Sequence, residues 1–264
     1  MFKFPPPATN YFEHTNAGLT GHTKLVQSLR GFACRFTILL FAYRQHELVA
    51  ATMADRRAAM SADEYGMYWF LEHTLSQSIA LNIRALCDHS AYSLGAKSIA
   101  DGLNDPAARA GLCDYLDRYG EGRHMKDSVE RKRYLDYTAK YMELLASTAK
   151  ADGTSDDLVV KVSIVRRWAS KAIAHLTLDD YQVDSVDLHH VFLAIAILAT
   201  AIECVMGDAA CQSDLNSCEQ QATRAGAALF DPPPASPSRY IETIRFALPD
   251  WVRSGEEFPF VNVG

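Results

Sequence analysis

In the segment Val165-Arg-Arg-Trp-Ala-Ser-Lys-Ala-Ile-Ala-His175-Leu176, the residues Arg167, Lys171 and His175 stand four apart. Four residues turn a helix by about 400°, so successive members drift by only about 40° and share one face. Two cations beside an imidazole suit a phosphodiester. The cations hold phosphate oxygens and favour the neutral, base-competent histidine, and a cation is what a developing negative charge requires. Metal-independent RNA cleavage needs such a set, with His175 as base for a 2′-hydroxyl and Arg167 or Lys171 beside the phosphate. Arg166 and Ser170 flank the strip, and with Arg84 from an earlier segment they are the candidates for holding substrate. The same residues also admit a plainer role. Trp168 and His175 are seven apart, which suits a core-facing histidine, and cations at a helix C-terminus favour the helix dipole with no site at all.

Other chemistries find less support. The pairs Glu72–His73 and His189–His190 lack the i, i+3 or i, i+4 spacing of helical metal ligands, whereas Asp187–His190 is an i, i+3 pair. The expectation is no metal and no cofactor. Neither a phosphate-binding glycine loop nor a GxSxG nucleophile turn occurs, which argues against a nucleotide-binding α/β enzyme or a serine hydrolase. A net charge of −6, from 26 basic and 32 acidic residues, argues against coating nucleic acid by bulk electrostatics but leaves room for a local basic groove. The six cysteines form no CxxC pair and read as buried thiols of a reducing, cytoplasmic compartment. No secretory signal is read at the start. The longest uncharged run, Leu188 to Ile202, has about 15 residues where a membrane span needs about 20, so a core helix is expected there.

The elements that would carry these residues read as helices throughout. The first is expected from about Thr23 to Thr52. The second opens on the capping-box pattern Ser61-Ala-Asp-Glu64 and carries the stripe Tyr68, Leu71, Leu75, Ile79, Ile83 and Leu86 toward about Tyr92. Asp105-Pro106 starts a short third helix ending near Gly120–Gly122. The fourth, about Lys126 to Thr148, buries Tyr134, Tyr137, Tyr141 and Leu144, with Arg131-Lys132-Arg133 as a solvated face. The fifth spans about Ser155 to Leu176 and buries Leu158, Val162, Val165, Ala169 and Ala172. A sixth, capped by Asp179, Asp180 or Asp184, contains Val191 to Ile202 and ends near Gly207. A seventh covers about Ala209 to Leu229. Asp231-Pro-Pro-Pro-Ala-Ser-Pro-Ser238 divides a body, residues 1–230, from an arm, 231–264. The arm holds an amphipathic piece, Tyr240 to Leu248, and then Trp251, Phe258 and Phe260, which are too few to form a core and so should dock on the body. The class is all-α, a helical bundle.

Two stretches resemble the HEPN superfamily, most closely its abortive-infection AbiU-type branch. One is Leu81-Asn-Ile-Arg-Ala-Leu-Cys-Asp88 followed by Ala96-Lys-Ser-Ile-Ala-Asp-Gly-Leu103. The other is Arg166 to His175, followed by Asp179-Asp180 and an apolar helix. The resemblance covers about residues 25 to 207 and implies an up-down helical core with additional helices. It further implies a metal-independent RNase in phage defence or a toxin–antitoxin pair, with RNA as substrate, a homodimer along the His175 face and an antitoxin protein as possible partner. The family's signature is Arg, four to six residues, then His. His175 matches the histidine, but Trp168, Ala169 and Ser170 stand where the arginine belongs. Arg167 is one residue too far and Lys171 one too near. Arg84-Ala-Leu-Cys-Asp-His89 has the spacing, in an earlier helix than the one that carries the motif in the family. The alternatives are a non-catalytic helical RNA- or protein-binding module and a metal-dependent helical-bundle hydrolase.

Overall fold

A computed structural model describes residues 20–90, 94–119, 125–150, 153–170, 185–207, 210, 214–229 and 239–255. Nine α-helices and no strand occur among them: α1 (Gly21–Arg56), α2 (Ala62–Leu86), α3 (Ala96–Asn104), α4 (Pro106–Tyr119), α5 (Ser128–Ala146), α6 (Asp157–Trp168), α7 (Ser185–Met206), α8 (Leu215–Leu229) and α9 (Tyr240–Ser254). The all-α bundle expected from the sequence is what forms.

Local signals set several of the boundaries. Ser61 accepts from the Glu64 amide and the Glu64 carboxylate accepts from the Ser61 amide, so both halves of the capping box at the start of α2 are present. Pro106 opens α4, and the Asp105 carboxylate accepts from the Ala107 amide at 2.9 Å. Asp127 caps α5 through the amides of Val129 and Glu130.

Three expectations are corrected. The second helix stops at Leu86, not near Tyr92, because α3 begins close behind it. Gly95 caps α3 against the end of α2, where a Cβ would stand 3.0 Å from the Ala85 carbonyl and 3.1 Å from that of Leu86. A Cβ there would force the two helix ends apart by a few tenths of an ångström. Helix α3 itself was not anticipated as a separate element, although Ile99, Ala100 and Leu103 are buried on one stripe. Arg131 is not part of a solvated face. It is buried, donates to Asp117 at 2.8 Å and reaches the carbonyls of Lys126 and Cys113, while Lys132 and Arg133 remain in water.

The long α1 is the spine, contacting α2, α3, α4, α7 and α8. Helix α7 runs through the centre, packed on α1, α5, α6 and α9, with every residue from Val191 to Ala199 buried. A helix that is apolar all round must be covered on all sides. By length and composition α1 and α7 could each cross a membrane. In the bundle 78% of the most apolar window of α7 and 50% of that of α1 are buried. Helix α9 joins the same core through Ile241, Ile244 and Leu248, with Trp251 partly buried against it. Phe258 and Phe260 lie outside the described residues. At the α1–α8 crossing a Cβ on Gly226 would fall 2.0 Å from Leu48 Cδ1, so only glycine fits between the two helices as they stand.

The five described cysteines are thiols, not disulfide halves. Cys87 is buried as expected, Cys113, Cys204 and Cys218 are partly so, and Cys34 is exposed. Cys211 lies outside the described residues.

Candidate functional site

Helix α6 ends in an arrangement that its sequence only partly implies. Its α-helical part closes at Trp168, and Ala169–Ser170 continue as a wider π turn. A π turn shifts the angular phase of whatever follows it. Arg167 is exposed and Ser170 half-buried, while Lys171 and His175 lie outside the described residues.

Arg166 has a different task from the one expected. Its guanidinium donates to the carbonyls of Cys87 at 3.2 Å, Ala146 at 3.5 Å and Ser147. These carbonyls close the C-terminal ends of α2 and α5, where helix acceptors lack intrahelical partners and the dipole is negative. One side chain thus fastens the end of α6 to the ends of two other helices and is occupied in doing so. Burial lowers its pKa, with the neighbouring Cys87 and Asp88 acting in the opposite sense. Burial also pushes the Cys87 thiol up to about 12 against the pull of Arg166, so it stays protonated at neutral pH and is no nucleophile.

That fastening creates a corner. Arg84 sits exposed in the last turn of α2, and His89 follows just beyond it with 71% of its side chain in water. The His89 Nδ1 lies 3.9 Å from the Asp88 carboxylate. Arg167, the next residue along α6 after Arg166, is exposed.

A second assembly was not anticipated. The Tyr43 hydroxyl meets His189 Nδ1 at 2.5 Å, and its ring stacks on Phe192 with centroids 3.8 Å apart. Arg44, 1% exposed, donates to Glu47 at 2.6 Å and to Glu219 at 2.5 Å, and lies 4.5 Å over the Tyr240 ring. Tyr240 donates its hydroxyl to Glu47 at 2.5 Å. Glu219 also accepts from the amides of Tyr240 and Ile241 at 2.9 and 3.0 Å. Helix α9 has no side-chain cap of its own, and Glu219 of α8 supplies one. Beside this cluster Lys161 donates to His190 Nδ1 at 2.7 Å and pairs with Asp157 at the same distance. In sequence only the i, i+3 pair Arg44–Glu47 hinted at the network. Among the described residues no three His, Cys, Asp or Glu side chains converge as a metal site requires.

Burial holds the Tyr43 hydroxyl protonated, so it donates to Nδ1 of a neutral His189. Burial also lowers the His189 pKa from its usual value, with Glu47 pulling it back up and His190 pushing it further down. The unfolded chain, with a histidine pKa of about 6.5, therefore takes up this proton before the folded one does. The stabilisation is fully present above about pH 6.5 and is lost as pH falls from there through the lower folded pKa. His46, lowered chiefly by burial, acts with the same sign. Thermal melts between pH 7.5 and 5 should show a declining Tm, and His189→Gln should flatten that decline. An unchanged slope would remove His189 from the account.

No family model, no curated protein and no solved structure matches this chain.

Proposed function

We propose that this protein is an RNA-directed helical module of HEPN type, working as a metal-independent endoribonuclease in a phage-defence or toxin–antitoxin setting. One observation supports the reading: Arg166 closes the end of α6 on the end of α2, and Arg84, His89 and Arg167, near those ends in sequence, are each exposed. In the proposed reaction Arg167 and Lys171 hold the phosphate and His175 removes the proton of the adjacent 2′-hydroxyl. The 2′-oxygen then attacks phosphorus and the bond to the 5′-oxygen breaks. The 5′-oxygen takes up a proton as it leaves, and the products are a 2′,3′-cyclic phosphate and a 5′-hydroxyl. Arg84 and Ser170 position the RNA. Arg166 serves the reaction indirectly, by keeping the ends of α2 and α6 together.

The second reading, a non-catalytic module that binds RNA or a protein, is favoured by the sequence between Arg167 and His175. No arginine stands at the spacing of the HEPN signature there. Binding and cleavage therefore need separate assays. Filter binding of single-stranded RNA should weaken by about tenfold for Arg84→Ala combined with Arg167→Ala, since each lost phosphate contact also lowers the salt dependence. Equal binding by wild type and the double variant would remove the corner from RNA recognition.

A further inference from the structure

Helix α2 carries a row of planar side chains along one side. Tyr65, Trp69, His73 and Gln77 stand four apart, so each is turned only about 40° from the one before. Trp69 is 54% exposed, and its ring lies parallel to that of His73, with 5° between planes and 5.5 Å between centroids. The Gln77 side chain donates to His73 Nε2 at 2.9 Å and so steadies that ring. At the other end the exposed Arg57 guanidinium sits 5.7 Å from the centre of the half-buried Tyr65 ring. Phe70, mostly in water, flanks the row about 60° from His73. Neither Trp69 nor Phe70 packs into the hydrophobic clusters of the bundle, so the core does not account for them.

The charges around the row say what fits it. The row itself holds no carboxylate. Asp63 and Glu64, in the first turn, are turned about 160° and 100° away from Tyr65. Glu72 is half-buried and acts on His46 of α1. Arg84, seven residues beyond Gln77, returns to within about 20° of it and is exposed. A row of flat, uncharged faces thus lies between two cations, Arg57 and Arg84. Nucleic-acid bases are flat and uncharged, and their phosphates need the cations. Arg84 is the residue assigned above to positioning RNA, so a strand held there can run along α2 to Trp69, about 22 Å away over 15 helical residues. A duplex hides its base faces, whereas a single strand offers them for stacking on aromatic side chains.

We infer that the Trp69–His73 row of α2 is a base-stacking subsite for unpaired RNA, continuous with Arg84. The inference rests on the RNA reading above and adds to it the surface that grips the bases.

Tryptophan fluorescence tests it, in titrations with a long oligoadenylate and with the same strand paired to oligouridylate. Trp168 and Trp251 are partly buried against the core, so a base stacking on Trp69 quenches the most accessible of the three. The single strand should quench and the duplex should not. In filter binding Trp69→Ala should weaken the single strand by about tenfold, within the range for one base–aromatic stack, with an unchanged circular dichroism spectrum. Trp69→Phe should restore most of that affinity. The salt dependence should be the same for wild type and Trp69→Ala, since no phosphate contact is lost, whereas Arg84→Ala should reduce it. Undiminished binding of the single strand by Trp69→Ala would overturn the subsite and leave the RNA reading standing. A wild type that binds duplex as tightly as single strand would overturn it too. A wild type that binds no RNA would remove the subsite and the RNA reading together.

Discussion

Glu219→Ala should lower the stability of the protein by about 3–5 kcal/mol, the usual cost of breaking a buried, hydrogen-bonded ion pair by removing one partner. Three donors lose their acceptor at once: the Arg44 guanidinium and the amides of Tyr240 and Ile241. Arg44 is almost wholly buried and keeps as its ion-pair partner Glu47, which is itself partly exposed, with the Tyr240 ring beside it. The two amides open α9, whose first turn has no other side-chain cap. The loss should therefore begin with the undocking of α9 from α7 and α8, ahead of global unfolding. Hydrogen exchange would then show the amides of Ile241 to Leu248 opening first. Glu219→Gln should cost less, because an amide oxygen still accepts from one of the two backbone groups. Arg44→Met combined with Glu219→Gln should recover part of the loss, since no charge is then left buried without its partner. Urea titrations of the four proteins measure these differences. Equal stability of wild type and Glu219→Ala would mean that apolar contacts of Ile241, Ile244 and Leu248 alone hold α9 in place.

Why the sequence showed some of this and not the rest follows from how far apart the interacting residues are. The capping box at Ser61–Glu64 and the Asp105-Pro106 start act across four residues or fewer, so they stand in the sequence as they stand in the fold. The period of the α2 stripe is also local, although Leu71 and Leu75 are only partly buried, under a smaller cluster with Leu48, Val49 and Tyr68. Arg131 shows the opposite case. Its neighbours in sequence are charged and exposed, and only the approach of Asp117 from α4 makes burial tolerable. The Arg44–Glu219 bond joins residues 175 apart, and no window along the chain contains both. Helix α3 was hidden by its brevity and by Gly102, which weakens a helical pattern. In the fold Leu25 packs against that glycine, with Cδ1 only 3.0 Å from where its Cβ would be. The basic strip lies between these cases. Its spacing was legible, but the π turn at Ala169–Ser170 and the capture of Arg166 by three carbonyls are tertiary facts.

His175→Ala should reduce RNA cleavage by about two orders of magnitude or more, the scale of losing a general base, while leaving the melting temperature nearly unchanged. The two halves of that expectation have one origin. A catalytic base must reach a solvent-borne 2′-hydroxyl, and a side chain open to solvent contributes little to the core. A core-facing His175, seven residues from the partly buried Trp168, would give the reverse. Truncation would then leave a cavity and unpaired polar groups and cost about 1–3 kcal/mol, with no activity to lose. His89→Ala is the informative companion. His89 stands at the HEPN spacing from Arg84 and is mostly in water, so its loss should leave stability unchanged in either case. If His175 is the base, His89→Ala should weaken RNA binding at the corner without abolishing cleavage, because substrate would still meet Arg167, Lys171 and the imidazole. If His89→Ala abolishes cleavage and His175→Ala does not, the base belongs to the end of α2. A pH–rate profile separates a base from a binding group, because losing the base removes the acidic limb of the profile, whereas losing a binding contact lowers the whole curve. A wild type that neither cleaves nor binds RNA, together with a destabilised His175→Ala, would end the ribonuclease reading and leave the helical interaction module.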